Sequence, residues 1–128
     1  MRAGEYFSAP QVAGIRKAMS NAERVSDLTF SVYVGVAEED TRSYARRLHA
    51  ALRRPDTSVL VLCDPEFRAL EIITGAVAKR NLDDQAVGLA AATMQTSFAV
   101  GDLAGGLIAG INQLADSARA PQTLHSRV

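Results

Sequence analysis

The sequence predicts an α/β fold, a three-layer α/β/α sandwich around a small mixed sheet. An unbroken apolar run of β-forming residues at 59–63 is typical of a strand that is covered on both faces. A strand, a helix and this second strand follow one another within about 35 residues, which suits a right-handed βαβ crossover with parallel strands. A third β-forming run follows a short turn, so a β-hairpin makes the sheet mixed.

The first helix is predicted over 9–23, ahead of the sheet. Ser8 and Gln11 have the spacing of a capping box, and Pro10 is tolerated in a first helical turn. Apolar residues then recur at spacings of three and four, as on one stripe of a helix: Val12, Ile15 and Met19. This stripe predicts that the helix packs against the sheet.

The first strand is predicted over 28–36, where apolar residues alternate with Thr, Ser, Tyr and Gly. Three carboxylates follow at once: Glu38, Glu39 and Asp40. They suit the positive end of a helix predicted over 41–54, where each contributes a few tenths to about 1 kcal/mol. Pro55 and the two residues after it end this helix.

The hairpin turn is predicted at 64–67, because Asp64 can bond its own backbone and Pro65 presets φ. The second hairpin strand is predicted over 67–74, with Gly75 at its end. The charged positions Arg68 and Glu71 do not alternate cleanly with the apolar ones, which predicts a bulge or a weakly amphipathic edge.

The C-terminal part predicts two further helices. Residues 76–82 are predicted to form a loop with one helical turn, or a short fourth strand. Asp83 or Asp84 caps a helix over 84–97, and Asp102 caps the last helix, to 117. This last helix contains three glycines, which cost about 1 kcal/mol each against Ala and so predict that another backbone packs closely there: Gly105, Gly106 and Gly110. Residues 1–117 are expected to form one domain, and 118–128 a flexible tail.

Composition excludes several classes of function. Fourteen basic and fourteen acidic residues cancel, Trp is absent and aromatic residues are few, so nucleic-acid binding is not expected. A single cysteine, Cys63, excludes an intrachain disulfide and a Cys-based metal cluster. The sequence as given shows neither a signal peptide nor an apolar run that could span a bilayer. A cytoplasmic location, or one peripheral to a membrane, is therefore expected.

These pieces together resemble the TPM domain of thylakoid-lumen photosystem-repair proteins and bacterial envelope proteins, and more narrowly the actinobacterial proteins of the domain of unknown function DUF5130. The strand, turn and strand of that family stand here as VLVLCD, PEF and RALEIITG. A helix start stands at Leu82-Asp83-Asp84, which places Asp84 on the family's Asp. An aromatic–x–x–Gly-Asp…Gly segment comes before the last helix, as Phe98, Gly101, Asp102 and Gly105 or Gly106.

The resemblance implies the α/β sandwich and leaves two kinds of activity open. Some plant members are acid phosphatases with a bound divalent cation, and others are assembly or receptor-modulating modules. Many members read Gly-Tyr-Gly-Leu-Glu after the second hairpin strand, whereas this chain reads GAVAK from Gly75 to Lys79. Any cleft chemistry that depends on that Glu is therefore altered or lost here.

Acidic residues supply the first candidate site. The carboxyl ends of two parallel strands meet at one sheet edge, which would bring Asp64 close to Glu38, Glu39 and Asp40. Carboxylate oxygens from two strand ends would suit Mg²⁺ or Ca²⁺ and could position a phosphate ester. Helix capping by Asp40 and turn formation by Asp64 explain the same residues without any ligand, and this explanation is favoured.

The second candidate site lies where the hairpin ends. Asp83 and Asp84 with Arg80 nearby could bind a metal ion and a phosphate, and Asp84 would then be the main catalytic candidate. A helix N-cap with an adjacent charge favoured by the helix dipole is the simpler explanation. No other catalytic set is predicted. His49 and His125 are expected on the solvated surface, and Cys63 is expected to be a buried apolar residue. The arginines of 42–54 could present a basic face to anionic lipid or to an acidic partner, but a plain solvated face is favoured.

The favoured function is a non-enzymatic accessory module of the bacterial cell envelope that docks to a protein partner, one associated with a membrane. The alternative is a weak phosphomonoesterase that depends on a divalent metal and uses Asp84, Asp83 and Arg80. A third hypothesis is a homo-oligomer that forms through the glycine-bearing last helix.

Overall fold

The computed structural model describes residues 6–119. Its helices and strands follow in this order: α1 (Ala9–Ser26), β1 (Thr29–Val34), α2 (Thr41–Ala50), β2 (Ser58–Asp64), β3 (Ala69–Thr74), α3 (Asp84–Ala99) and α4 (Leu103–Ser117). Single 3-10 turns lie at Pro55–Thr57 and Ala78–Arg80. His125 and most of the predicted tail, 120–128, lie outside the described residues. Ala118 caps α4 and is fully buried.

The sheet has the order β1-β2-β3, with β2 in the centre and buried along its whole length. Strand β1 pairs with β2 in parallel, from Thr29 opposite Ser58 to Val34 opposite Cys63. Strand β3 pairs with β2 antiparallel, from Asp64 opposite Ala69. The predicted parallel pair and hairpin are thus confirmed.

Helices cover both faces of the sheet. One face carries the larger core, in which α1, α3 and α4 bury large side chains against the strands: Ile15, Met94, Leu107, Ile111 and Leu114. The other face carries a smaller core beneath α2, formed by Tyr44, Ala45, Leu60, Leu62 and Ile73. This arrangement confirms the predicted three-layer α/β/α sandwich.

The structure decides between the alternatives predicted for the hairpin and for the loop after it, and it shortens the second hairpin strand. The β2–β3 register is one-to-one from 69 to 74, so the predicted bulge is absent. Strand β3 is instead an edge strand without clean alternation of burial, the other alternative, and it begins at Ala69 and not at 67. Arg68 instead belongs to the turn, with a left-handed φ of 54°. Residues 76–82 form the predicted loop with one helical turn, since the N–H groups of 79–82 bond three or four residues back, as Leu82 does to Ala78. The alternative of a fourth strand is wrong within the described chain.

Helix α2 is shorter than predicted, and one of its side chains lies elsewhere than expected. It ends at Ala50 instead of 54, since the next residues bend into the 3-10 turn that leads to β2. That bend brings Ser58 beside the helix, and the His49 Nε2 lies 3.0 Å from the Ser58 carbonyl oxygen. His49 is therefore buried at 8% exposure, and its predicted place on the solvated surface is wrong.

The glycines of α4 mark close packing with α3. A Cβ at Gly110 would collide with the Met94 side chain, and one at Gly106 would collide with Phe98. Close packing is confirmed at these two positions, but the contacting atoms belong to α3 side chains and not to a backbone as predicted. Because α3 occupies this face of α4, the predicted homo-oligomer through these glycines would have to displace α3.

Candidate functional site

Asp64 holds two loops together at the carboxyl end of the parallel strands. Its carboxylate is 1% exposed and accepts a hydrogen bond from the Ala37 backbone N–H at 3.0 Å. Its other oxygen accepts the N–H groups of Glu66 at 3.1 Å and Phe67 at 3.3 Å. Asp64 therefore joins the loop after β1 to the hairpin turn, and its predicted role in the turn is confirmed.

The other carboxylates predicted at this edge are engaged separately. Asp40 caps α2 by accepting the backbone N–H and the hydroxyl of Ser43, both at 3.1 Å. Glu39 lies 3.4 Å from the Arg47 guanidinium, and Glu38 is exposed. Between residues 6 and 119, no group of three or more His, Cys, Asp and Glu side chains is placed to hold a metal ion. A Mg²⁺ or Ca²⁺ role for Glu38 and Asp64 stays a prediction.

The second predicted set lies at the start of α3. Asp83 caps this helix by accepting the Ala86 backbone N–H at 2.8 Å. Asp84 is exposed in the first helical turn, and Arg80 is exposed in the preceding 3-10 turn. The capping explanation is confirmed for Asp83, and the catalytic and metal-binding roles of the set stay predictions.

A cleft of about 480 Å³ opens at the hairpin end of the sheet, on the face that carries α3 and α4. We call it the hairpin-end cleft. Its lining is mostly apolar, with one guanidinium and one amide: Cys63, Pro65, Arg68, Leu70, Gln95, Phe98, Ala99, Gly101 and Leu103. Its size and composition are typical of binding sites for small molecules or short peptide segments.

Two turns shape the walls of this cleft. The hairpin turn, fixed by Asp64, supplies one wall, and Leu70 extends it as the cross-strand neighbour of Cys63. The α3–α4 turn supplies the other wall, with Gly101 at a φ of 84°. Asp102 fixes that turn, because its carboxylate accepts the Gly105 backbone N–H at 2.9 Å to cap α4. Both walls are therefore held by backbone hydrogen bonds without any ligand.

Exposed apolar side chains concentrate at this end of the molecule. Four large apolar residues are exposed in the described chain, and three of them follow β1, β2 or α3 at the hairpin end: Val36, Phe67 and Val100. Phe67 is 73% exposed and Val100 81% exposed, and the chain neighbours of both line the cleft. Several exposed large apolar groups at one end of a molecule, beside a cleft, are typical of a surface that meets a partner.

Two ionisable groups near this end have raised pKa values. Burial, and secondarily the nearby Asp64 carboxylate, raises the pKa of the Cys63 thiol to about 12, so it stays protonated at neutral pH. A hydrogen bond with Tyr44, with some burial, raises the pKa of Tyr33 to about 12. Neither group is prepared to act as a nucleophile or base at neutral pH.

Sequence reasoning did not predict the cleft. Phe98 and Gly101 entered only as part of the family pattern, and Arg68 only as a break in strand alternation. The signal that was available lies in Phe67 and Val100, two large apolar residues placed beside Pro65 and Gly101 in turns. Turns lie at the surface, so a large apolar residue in a turn indicates exposure.

The sequence matches the model of a known protein family. Residues 3–115 match the profile of the domain of unknown function DUF5130. The chain belongs to the DUF5130 family. Two uncharacterised proteins from two strains of Mycobacterium tuberculosis are each 27% identical to it over 108 residues. The match covers 84% of this chain and 65% of each relative, so the chain spans less than two thirds of their length.

Solved structures with the same fold come from three bacteria. The BA42 protein of Bizionia argentinensis matches with a TM-score of 0.79 and 20% identity, over 87% of this chain and 80% of that one. The N-terminal domain of the cg2496 protein of Corynebacterium glutamicum matches at 0.72 and 15%, over 91% and 76%. A P. gingivalis N-terminal domain matches at 0.69 and 20%, over 91% and 78%. Because these identities are 20% or lower, the likeness shows a shared fold and nothing more.

No helix among residues 6–119 is both long and apolar enough to cross a bilayer.

Proposed function

We propose that this DUF5130 chain is a non-enzymatic accessory module of the bacterial cell envelope that binds a protein partner at the hairpin-end cleft. One observation carries the proposal: three of the four exposed large apolar side chains in the described chain lie around that end. The resemblance to TPM proteins of bacterial envelopes supports the envelope setting, where the partner is expected to be associated with the membrane.

The exposed apolar area is large enough to contribute to binding. A Phe side chain buries about 150–250 Å², so covering the 73% of Phe67 that is exposed would remove about 110–180 Å² from water. At about 25 cal/mol per Å², this corresponds to about 3–4.5 kcal/mol before the entropic cost of association. Aromatic anchors of this size are typical of the residues that dominate protein interfaces.

The use of the carboxylates also supports a binding role. Asp64, Asp40, Asp83 and Asp102 each accept backbone N–H groups in turns or caps. The bonds of Asp64 and Asp102 fix the two turns that form the cleft walls, and those of Asp40 and Asp83 cap helices elsewhere, so each acid has a structural role that needs no substrate. A site with rigid walls loses little entropy when a partner binds.

Photo-crosslinking in cells tests the proposal. A benzophenone amino acid replaces Phe67 or Val100, and the matched control replaces Leu89, which is 56% exposed on α3 beyond the cleft lining. The same protein adduct is expected from positions 67 and 100, in the membrane fraction, and not from position 89. Equal adducts from all three positions, or none from 67 and 100, would contradict the proposal.

The second candidate function is a weak phosphomonoesterase that depends on Mg²⁺ or Ca²⁺. The observation that favours it is that Asp84 and Arg80 are exposed and unpaired among the described residues, beside Asp83. A metal bound by the folded chain would raise the melting temperature. The test is a melt with millimolar Mg²⁺ or Ca²⁺ beside p-nitrophenyl phosphate turnover, on wild type, Asp84→Ala and the control Glu66→Ala. Metal-independent melting with turnover at the buffer blank rejects this candidate.

A further inference from the structure

Among the described residues, Arg68 is the only cation that lines the hairpin-end cleft. Its side chain is exposed, and across residues 6–119 its guanidinium pairs with neither a carboxylate nor a hydrogen-bond acceptor. Other arginines of the chain, Arg42 and Arg47, do have carboxylate partners. The five N–H donors of Arg68 are therefore available to an anion that enters the cleft.

The backbone at Arg68 is adapted to the turn and not to this residue type. Its φ of 54° lies in the left-handed region, which favours Gly and Asn and disfavours a residue with a long side chain. An Asn at this position would fit the turn better. Unlike Asn, Arg68 places a positive charge at the edge of an apolar cleft.

The charges on and beside the described lining favour a ligand with a single negative charge. Gln95 supplies a neutral amide to the lining, whereas Asp64 and Asp102 lie outside it and accept backbone N–H groups in the adjoining turns. Glu66 is exposed in the same turn as Arg68. The guanidinium matches a single carboxylate, whereas each further negative charge on the ligand would lack a cation in the described lining and would lie near the exposed Glu66.

We infer that the cleft binds the free carboxyl terminus of a partner protein whose last residues are apolar. The terminal carboxylate lies on the Arg68 guanidinium, and the last side chains pack against Leu70, Phe98 and Leu103. A C-terminal residue carries a carboxylate and an apolar side chain on the same Cα, so one residue satisfies both the cation and the apolar wall. This inference rests on the proposed function and names the part of the partner that is recognised.

A titration followed by amide NMR shifts tests the inference. The probes are the peptide Gly-Ser-Gly-Leu-Val-Leu with a free carboxyl terminus, the same peptide with a C-terminal amide, and octanoate. We expect the free acid to shift the amide signals of Arg68, Leu70, Phe98 and Gly101. The peptide with a C-terminal amide cannot form the charge-assisted bidentate pair, so we expect it to bind about tenfold more weakly than the free acid.

Variants at position 68 separate charge from fold. The Arg68→Asn variant should melt no lower than wild type. Its affinity for the free acid should fall about tenfold, and its affinity for the amidated peptide should not change. Arg68→Lys keeps the charge without the bidentate geometry, so an intermediate loss of about threefold is expected. The matched control is Arg46→Asn, which removes an exposed arginine from α2 and should bind both peptides as wild type does.

Four results would overturn the inference: equal affinity for acid and amide, an Arg68→Asn variant that binds the acid normally, shifts that map away from the cleft, or no shift with either peptide. Octanoate that binds more tightly than the peptide acid would also overturn it, because the ligand would then be a free carboxylic acid. Equal binding of acid and amide within the cleft would leave the proposed function standing. Failure of crosslinking from positions 67 and 100 would instead refute the proposed function.

Discussion

Replacing Asp64 with Asn tests whether this buried carboxylate holds the hairpin end together. Asn keeps the shape but has one carbonyl oxygen, whereas the carboxylate uses one oxygen for Ala37 and the other for Glu66 and Phe67. If the Asn oxygen faces the turn, its NH₂ group faces the Ala37 N–H, donor against donor. One hydrogen bond is lost, and the other two lose their charge assistance.

The expected destabilisation follows from these contacts. A buried donor left unsatisfied costs about 1–3 kcal/mol, and the weaker remaining bonds add roughly 1 kcal/mol, which gives about 2–4 kcal/mol. For a chain of 128 residues this corresponds to a melting temperature lower by about 6–15 °C. Because Asp64 is only 1% exposed, solvent cannot replace the lost partner.

The assay is thermal and urea unfolding followed by circular dichroism, with Glu66→Gln as the matched control. Glu66 lies in the same turn but is exposed, so the Glu66→Gln variant should melt within about 1 °C of wild type, as variants with surface substitutions usually do. An Asp64→Asn variant that melts as wild type does would refute the structural role. If millimolar Mg²⁺ or Ca²⁺ stabilised wild type but not Asp64→Asn, the predicted role of Asp64 as a metal ligand would gain support.

Three further predictions concern packing and titration. Gly110→Ala should destabilise the chain by about 1–3 kcal/mol in urea unfolding, because the new methyl collides with Met94, whereas Gly88→Ala meets open space on α3 and should stabilise it by roughly 0.5–1 kcal/mol. If both changes had the same sign, the close α3–α4 contact would be wrong. Cys63 should not react with a thiol reagent at pH 8 until the chain unfolds, since it is 2% exposed with a pKa of about 12; rapid labelling of native protein would contradict its burial. Tyr33 should ionise near pH 12 in an ultraviolet titration, and Tyr33→Phe should remove that step. Because this pKa is raised above its ordinary value of 10.0, the associated stability is complete below pH 10 and is lost as pH rises towards 12.

Local chemistry made most of the fold predictable. The capping box of Ser8 and Gln11 forms as its spacing indicates, with hydrogen bonds of 2.8 and 3.3 Å. The apolar run at 59–63 forms the buried central strand, because a strand without polar alternation must be covered on both faces. Each of these two features is determined by residues that lie within a few positions of one another in the sequence.

Features that depend on long-range contacts were not predictable. His49 reads as part of an arginine-rich surface helix, and it is buried only because the bend after α2 brings Ser58 beside it. Arg68 reads as part of a strand, and the turn that Asp64 fixes moves it into the cleft lining instead. The cleft is lined by two segments, 63–70 and 95–103, which are about 30 residues apart in the chain. No local sequence pattern indicates that these segments lie side by side.

The most direct test of the binding role is calorimetry with the crosslinked partner, once that protein has been purified. We expect Phe67→Ser to weaken binding at least tenfold, since a buried aromatic anchor contributes about 2 kcal/mol or more. Leu89→Ser removes a similarly exposed apolar side chain from α3 and should leave the affinity unchanged. Equal affinities for wild type and both variants would contradict recognition at the hairpin-end cleft.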